Sequence, residues 1–303
     1  MKPLIPQALK PGDTVAITSP AGAVNPDYVD GAAAALLARG YEVTVQPHAK
    51  GRHFAYSGTV DERLADITGA LLDPKVRAVL CARGGYGCVH LLEALDRLPL
   101  RDDPKWLIGF SDVSALHALM RRKGIASVHA SMARHLATTP ADNPDTADLF
   151  AILSGSPRPL SFDPHPLNRT GIARGPLTGG NLAVIADLLA TPFSVFTPGS
   201  ILLLEDIGEQ IYKVERILDQ LRLAGVLDRL AGVIVGAFTD YTVPAHAPDM
   251  YPAIAAMLAP YSFPVAFGAP VGHIPHNVPL LLGPVAELYV AAGAVTLRQG
   301  IAD

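Results

Sequence analysis

Short apolar runs alternate with stretches of helical periodicity along the first half of the chain. The runs predict strands over 14–18, 41–45, 78–82, 106–108 and 126–129. Between them, apolar residues recur at every third or fourth position, which is the spacing of a helix with one buried face. Repeated strand–helix units of this kind predict a mostly parallel sheet covered by helices on both faces. Ligands then bind at the carboxyl ends of the strands.

A change of pattern divides the chain into two predicted domains. The stretch 156–174 is dense in proline and lacks periodicity, so we expect it to link an N-terminal domain over 1–155 to a C-terminal domain over 175–303. Beyond the linker, the patterns predict a helix after Asn181, a second over 214–223, and strands over 201–204, 233–238 and 265–267. The tail over 278–297 has short β-branched segments that suit antiparallel strands.

Composition narrows the class of protein. Half of the 303 residues are hydrophobic and only 17% are charged, as in a globular protein. The net charge of −4 argues against broad nucleic-acid binding. Two cysteines, Cys81 and Cys88, are too few for a disulfide framework, and their spacing is no metal signature. The chain starts without a signal-peptide pattern and has no apolar run of membrane-spanning length, so we expect a soluble, cytoplasmic protein.

The segment 106–120 carries the strongest chemical signal. Its predicted strand ends at Ile108 and helical spacing begins at Asp112, so 109–111 must form a sharp strand-to-helix turn. A serine at such a turn projects its hydroxyl beyond the sheet, next to the first free N–H groups of a helix. Ser111 is therefore a candidate nucleophile. Serine is also a favoured helix N-cap, and the motif alone leaves that interpretation open.

A serine nucleophile needs a base to take its proton. Most of the ten histidines lie in polar loops or, like His90 and His117, within predicted helices. His273 differs because it directly follows the strand-like segment 264–270, where it is well placed for proton transfer. His276 competes for this role by spacing alone.

The base in turn needs an acid to orient it. Glu205 is the first residue past the predicted strand 201–204. Asp206 and Glu209 could replace it on sequence grounds. Acidic residues in such positions are also common as helix caps or solvated strand ends.

The run 83–87 follows a strand and opens a helix with paired glycines, which let a backbone approach a ligand and present its N–H groups. It lacks the spacing of a dinucleotide loop or a phosphate loop. An oxyanion hole made by the N–H groups of Gly85 and Asp112 suits the serine hypothesis better. Arg83 and Tyr86 are candidate substrate-binding residues, although a structural ion pair would equally explain Arg83.

Taken together, these segments resemble the LD-carboxypeptidase family of serine peptidases, which includes muramoyl-tetrapeptide carboxypeptidases and microcin-immunity peptidases. The resemblance covers nearly the whole chain. Its motifs occur in order at 9–17, 19–22, 61–66, 82–87, 109–112, 179–182, 204–209 and 270–273.

The resemblance implies a Ser–Glu–His triad at Ser111, Glu205 and His273. It therefore favours Glu205 over the neighbouring acidic residues as the acid, and His273 over His276 as the base. It also implies a flavodoxin-like N-terminal domain, a mixed α/β C-terminal domain and a homodimer with the site in the interdomain cleft. No metal or cofactor is expected.

The implied reaction is hydrolysis of an L,D peptide bond, which releases D-alanine from the tetrapeptides of recycled cell wall. One alternative is an immunity-type peptidase that cleaves a nucleotide–peptide conjugate. Another is a non-catalytic protein that binds small ligands, in which Ser111 is only a cap. We favour the murein peptide substrate because the interval from Glu205 to His273 has no obvious long insertion.

Overall fold

A computed structural model describes residues 3–246 and 248–301. The chain forms two compact units. The first runs to Pro157 and also takes in Val278–Gly283. The second contains Arg158–Asn277 and continues from Pro284.

The first unit is built on a parallel sheet. Its strands are β1 (Thr14–Thr18), β2 (Glu42–Val45), β3 (Val76–Cys81), β4 (Trp106–Gly109) and β5 (Ser127–His129), which are joined by β11 (Leu280–Leu282). The order is β11-β5-β4-β3-β1-β2, in which β1 to β5 pair in parallel and β11 is antiparallel to β5. The order 2-1-3-4-5 within this sheet is the flavodoxin-like one, as the resemblance predicted.

Helices cover this sheet: α1 (Pro26–Leu37), α2 (Val60–Leu72), α3 (Leu92–Asp96), α4 (Ser114–Arg122), α5 (Ala133–Thr138) and α6 (Pro144–Leu153). Local sequence explains their starts. Thr59 and Glu62 form a reciprocal capping box at the start of α2, and a proline occupies the first turn of α1 and of α6. One core cluster packs the apolar faces of α1, α5 and α6 with the sheet, including Val29, Trp106 and Leu149.

The second unit has a mixed sheet, in agreement with the prediction. Its strands are β6 (Leu160–Phe162), β7 (Gly171–Asn181), β8 (Ile201–Ile207), β9 (Gly232–Thr239), β10 (Val265–Phe267), β12 (Val285–Val290) and β13 (Val295–Arg298). Their order is β10-β9-β8-β7-β12-β13-β6, parallel from β10 to β7 and antiparallel beyond it. The helices are α7 (Leu182–Asp187), α8 (Ile211–Leu223) and α9 (Met250–Leu258).

Two segments differ from the expected linear division. The stretch 156–174, expected as a linker, contains β6 and the first residues of β7. A strand forms in this proline-rich stretch because the prolines flank β6 and none lies within it. The tail does form antiparallel strands, but β11 pairs in the first unit while β12 and β13 belong to the second.

Across 3–246 and 248–301, no helix is both long enough and apolar enough to cross a membrane.

Candidate active site

Ser111 lies at a strained elbow between β4 and α4. β4 ends at Gly109, and a 3₁₀ turn over Ser111–Val113 leads into the helix. The φ angle of Ser111 is +64°, in the left-handed region that L-residues with a side chain rarely occupy. Strain of this kind persists only where the surroundings enforce it, and a serine at a sharp strand-to-helix turn exposes its hydroxyl above the sheet.

Two glycines make room for the elbow. A Cβ atom on Gly109 would lie 2.9 Å from Val113 Cγ1, so any side chain there would push the 3₁₀ turn away from β4. A Cβ atom on Gly84 would lie 2.9 Å from Ser111 Cβ and 3.1 Å from Ser111 Oγ. The serine side chain therefore lies directly against the backbone of Gly84, in the glycine-rich run 83–87.

Asp112 ties this glycine-rich run to the elbow. Its carboxylate is buried and accepts a hydrogen bond from the backbone N–H of Cys88 at 2.9 Å. A second hydrogen bond joins the backbone N–H of Gly22 to the carbonyl oxygen of Gly84, at 2.9 Å. Gly85 adopts φ +107°, which only glycine tolerates well. The loops after β1, β3 and β4 thus meet around Ser111.

Arg83 and Tyr86 have different surroundings. The guanidinium of Arg83 donates to the carbonyl of Ala23, which supports the loop after β1. Tyr86 is 57% exposed, with its ring edge-on to His90 at 5.1 Å and near Tyr56 at 6.2 Å. Both candidate substrate-binding residues are therefore exposed, and Arg83 also has a structural contact.

Arg63 organises these loops, and the sequence reasoning did not single it out. Its guanidinium is buried and donates to the carbonyls of Pro20 at 2.7 Å and Gly87 at 3.0 Å. It also lies over the ring of Tyr56 at 4.8 Å. A signal was available, because Arg63 falls in the helical register of the buried residue Ile67, where a charge demands buried partners.

In the second unit, Glu205 and His273 form a buried acid–base pair. Glu205 Oε2 lies 2.8 Å from His273 Nδ1, and the Glu205 side chain is fully buried. The expectation that β8 ends at Leu204 is wrong, because the strand continues to Ile207 and contains Glu205. Strand pairing shifts here, so that Gly236 and Ala237 of β9 oppose the single residue Glu205.

Glycines again provide the space for this pair. A Cβ atom on Gly236 would lie 2.5 Å from Val271 O and 3.4 Å from Glu205 Cβ. Gly272 adopts φ +123°, and a Cβ atom there would lie 3.0 Å from Glu205 Oε2. The buried Asn277 side chain accepts the N–H of Gly272 at 2.9 Å and so fixes the turn that carries the histidine.

The alternatives to Glu205 and His273 are placed elsewhere. Asp206 is on the opposite side of β8 and accepts hydrogen bonds from Asn181 Nδ2 at 2.9 Å and Ala183 N–H at 2.8 Å. Burial raises the pKa of Asp206 to about 6, despite these donors. Glu209 lies 3.3 Å from Lys213, and His276 is exposed.

The geometry of the pair defines what it can do. A carboxylate accepts and does not donate, so Nδ1 of His273 carries the proton in this contact, and Nε2 carries the lone pair of the neutral ring. A histidine oriented in this way can act as a general base. Among the described residues, no group of three or more His, Cys, Asp and Glu side chains is arranged to hold a metal ion.

Comparison with known proteins identifies the class. Profiles of the LD-carboxypeptidase N-terminal and C-terminal domains match residues 15–130 and 174–288. The murein tetrapeptide carboxypeptidase of Pseudomonas aeruginosa is 33% identical over 286 residues, which cover 91% of this chain and 93% of that protein. The chain belongs to the LD-carboxypeptidase family, as its motifs predicted, and it is a serine peptidase of the carboxypeptidase type.

Solved structures agree with this assignment. The muramoyltetrapeptide carboxypeptidase from Oxalobacter formigenes has a TM-score of 0.86 and 30% sequence identity, over 95% of this chain and 99% of that one. The microcin C7 self immunity protein MccF has a TM-score of 0.84 at 20% identity, over 99% and 100% of the two chains. At this lower identity the likeness is one of fold.

Proposed function

We propose that this protein removes the terminal D-alanine from murein tetrapeptides during cell-wall recycling, as a serine-type LD-carboxypeptidase. The strained elbow at Ser111 carries the proposal, because neither a helix cap nor a ligand loop requires a serine with φ of +64°. The name of the Pseudomonas relative supports the choice of substrate. No cofactor takes part in the reaction as proposed.

In this mechanism Ser111, His273 and Glu205 act as a triad. Ser111 Oγ attacks the carbonyl carbon of the L-centre of the diamino acid, while His273 Nε2 takes the hydroxyl proton. The backbone N–H groups of Gly85 and Asp112 stabilise the oxyanion that develops. Glu205 keeps the imidazole in the required tautomer and stabilises its cation.

Collapse of the tetrahedral intermediate completes the first half of the reaction. The C–N bond breaks, His273 donates its proton to the leaving amine of D-alanine, and an acyl-enzyme forms on Ser111. Water then attacks the ester with His273 again as base, which releases the shortened peptide and restores the serine.

Further parts of the proposal rest on the resemblance to the family. The first domain carries the nucleophile, and the second carries Glu205 and His273. Arg83 and Tyr86 contact the murein peptide. The enzyme is a cytoplasmic homodimer that binds neither nucleic acid nor membrane.

Mass spectrometry of muropeptides incubated with the pure protein tests the activity. We expect tetrapeptides to lose one terminal alanine. Ser111→Ala should lower kcat by about 10⁶, since a triad without its nucleophile retains little activity. Ser154→Ala, which changes an exposed serine at the end of α6, serves as the control and should leave kcat unchanged. Substantial turnover by folded Ser111→Ala protein would reject the mechanism.

The fold shared with MccF favours a second candidate, an immunity-type peptidase acting on a nucleotide–peptide conjugate. A side-by-side assay with a wall tetrapeptide and an aminoacyl-nucleotide conjugate separates the two. Labelling of Ser111 by a fluorophosphonate excludes the remaining alternative, a non-catalytic binding protein, because a cap serine is not activated.

A further inference from the structure

His117 lies inside the first unit, beneath the elbow that carries Ser111. It belongs to α4 and is 3% exposed. Its ring makes one hydrogen bond to each of two neighbouring strands, β4 and β5. Its Nε2 lies 2.9 Å from the carbonyl oxygen of Gly109, the last residue of β4. Its Nδ1 lies 2.9 Å from the hydroxyl of Ser127 in β5.

The chemistry of these partners fixes the tautomer of His117. A carbonyl oxygen can only accept, so Nε2 must carry the proton that it donates to Gly109. The neutral ring then accepts at Nδ1, and Ser127 must be the donor. Burial favours this neutral form and lowers the pKa of His117 to about 3. The ring centroid of His129 lies 6.4 Å from that of His117.

The bond to Gly109 acts at the point where the chain must turn. The same carbonyl also accepts the N–H of Ala130 at 3.0 Å, so two donors hold the final peptide group of β4. Ser111 follows two residues later with its left-handed backbone. A strained backbone conformation persists only when neighbouring structure enforces it, and this peptide group is the fixed end of the turn.

We propose that His117 is a positioning residue for the nucleophile: its Nε2–H bond to Gly109 O holds the end of β4 and so sets the direction of the Ser111 hydroxyl. This inference rests on the proposed function, in which Ser111 attacks the substrate. His117 itself touches no reacting atom in this role. Its contribution is to kcat, because a misdirected hydroxyl leaves substrate binding largely intact.

Two substitutions separate this role from simple core packing. The amide nitrogen of glutamine reaches the place of Nε2, whereas that of asparagine reaches only the place of Nδ1. His117→Gln keeps a donor for Gly109 O, and His117→Asn loses it. We expect His117→Asn to lower kcat by about 10²-fold, the scale of a misplacement of about 1 Å, with KM within about twofold of wild type. The kcat of His117→Gln should be at least about tenfold higher than the kcat of His117→Asn.

Two further variants complete the experiment. His135→Asn is the matched control, because this half-buried histidine in α5 also has two side-chain partners, Asn143 and Thr146, away from the elbow. It should keep the wild-type kcat. Ser127→Ala removes only the partner of Nδ1 and provides a milder variant should His117→Asn fail to fold. We expect it to lower kcat measurably but by less than about tenfold, also without a change in KM.

The outcomes are distinct. Wild-type kcat in folded His117→Asn, or equal kcat for the Asn and Gln variants, would overturn the positioning role. If His117→Asn does not fold, an unchanged kcat in Ser127→Ala overturns it instead. Ser111→Ala is measured in parallel. If that variant keeps its turnover, the proposed function fails. If Ser111→Ala is inactive while His117→Asn is fully active, only the inference about His117 fails.

Discussion

Ser111 has a backbone conformation that costs free energy for every residue except glycine. At φ of +64°, a Cβ atom crowds the neighbouring carbonyl by roughly 1–2 kcal/mol. A glycine at this position would avoid the steric cost. Its greater freedom in the unfolded chain would offset about 0.4–1 kcal/mol of that advantage. The nucleophile position is therefore expected to reduce the stability of the fold.

A pair of inactive variants tests this strain. Ser111→Gly should be more stable than Ser111→Ala by about 1 kcal/mol, because only the glycine relaxes at a positive φ. Urea denaturation of both variants gives the difference in unfolding free energy. Equal stabilities, or a more stable alanine variant, would show that the elbow is unstrained.

His117 should make the protein sensitive to acid. Its pKa is lowered in the fold to about 3, whereas in the unfolded chain the pKa lies near the ordinary histidine value of 6.5. The stabilisation is therefore complete above pH 6.5 and is lost as the pH falls towards 3. Between pH 7 and pH 4 we expect a loss of about 3 kcal/mol that His117→Gln does not share. Parallel urea denaturation of the two proteins at several pH values measures it.

Sequence patterns identify candidate residues near the ends of strands, but they miss residues whose role depends on contacts made in the fold. Ser111, Glu205 and His273 are predictable candidates because chemistry concentrates at the carboxyl ends of strands. Asn277 and His117 are not, because Asn277 lies within a loop and His117 has only helical spacing. Their partners, Gly272 in one case and Gly109 and Ser127 in the other, are brought to them by the fold.

β8 presents two adjacent carboxyl groups to opposite sides of its sheet. Glu205 contacts His273, and Asp206 contacts Asn181 and the start of α7. Two consecutive acidic residues resemble the solvated end of a strand, which is why the pattern placed the end of β8 too early. The strand continues because each carboxyl group is buried and accepts a hydrogen bond, which periodicity cannot show.

Asp206 should make the free energy of unfolding depend on pH with a sign opposite to that of His117. Its pKa is raised from 3.8 to about 6, so the native state holds a proton that the unfolded chain releases. The associated stabilisation is complete below pH 3.8 and is lost as the pH rises through 6. Relative to Asp206→Asn, the wild type should lose up to about 3 kcal/mol between pH 4 and pH 7. Urea denaturation of both proteins at the two pH values checks this, and a constant difference would contradict it.

The chain passes between its two units three times. It leaves the first after Pro157, returns for Val278–Gly283, and leaves again at Pro284. A division drawn at a break in periodicity yields contiguous domains, so the return of β11 was not foreseeable from the sequence pattern. The antiparallel character of the tail was predictable from its residues, but the sheet that each strand joins was not.

Two leucines seven positions apart should therefore report on different units. Leu281 is buried in the core cluster of the first unit, and Leu288 is buried in the second. Each change to alanine should cost about 2–5 kcal/mol. Hydrogen exchange should then show lost protection in β4 and β5 for Leu281→Ala, and in β7 and β13 for Leu288→Ala. Loss in the same strands for both variants would contradict the division.

The late position of β11 also bears on how the protein is made. While the ribosome is still adding the last part of the 303-residue polypeptide, the side of β5 that β11 will cover is an open edge, ready to pair with other nascent chains. The unit that carries Ser111 should thus be completed only after Glu205 and His273 have been synthesised. A polypeptide that ends before Leu280 would keep this edge of β5 open and should be prone to aggregation.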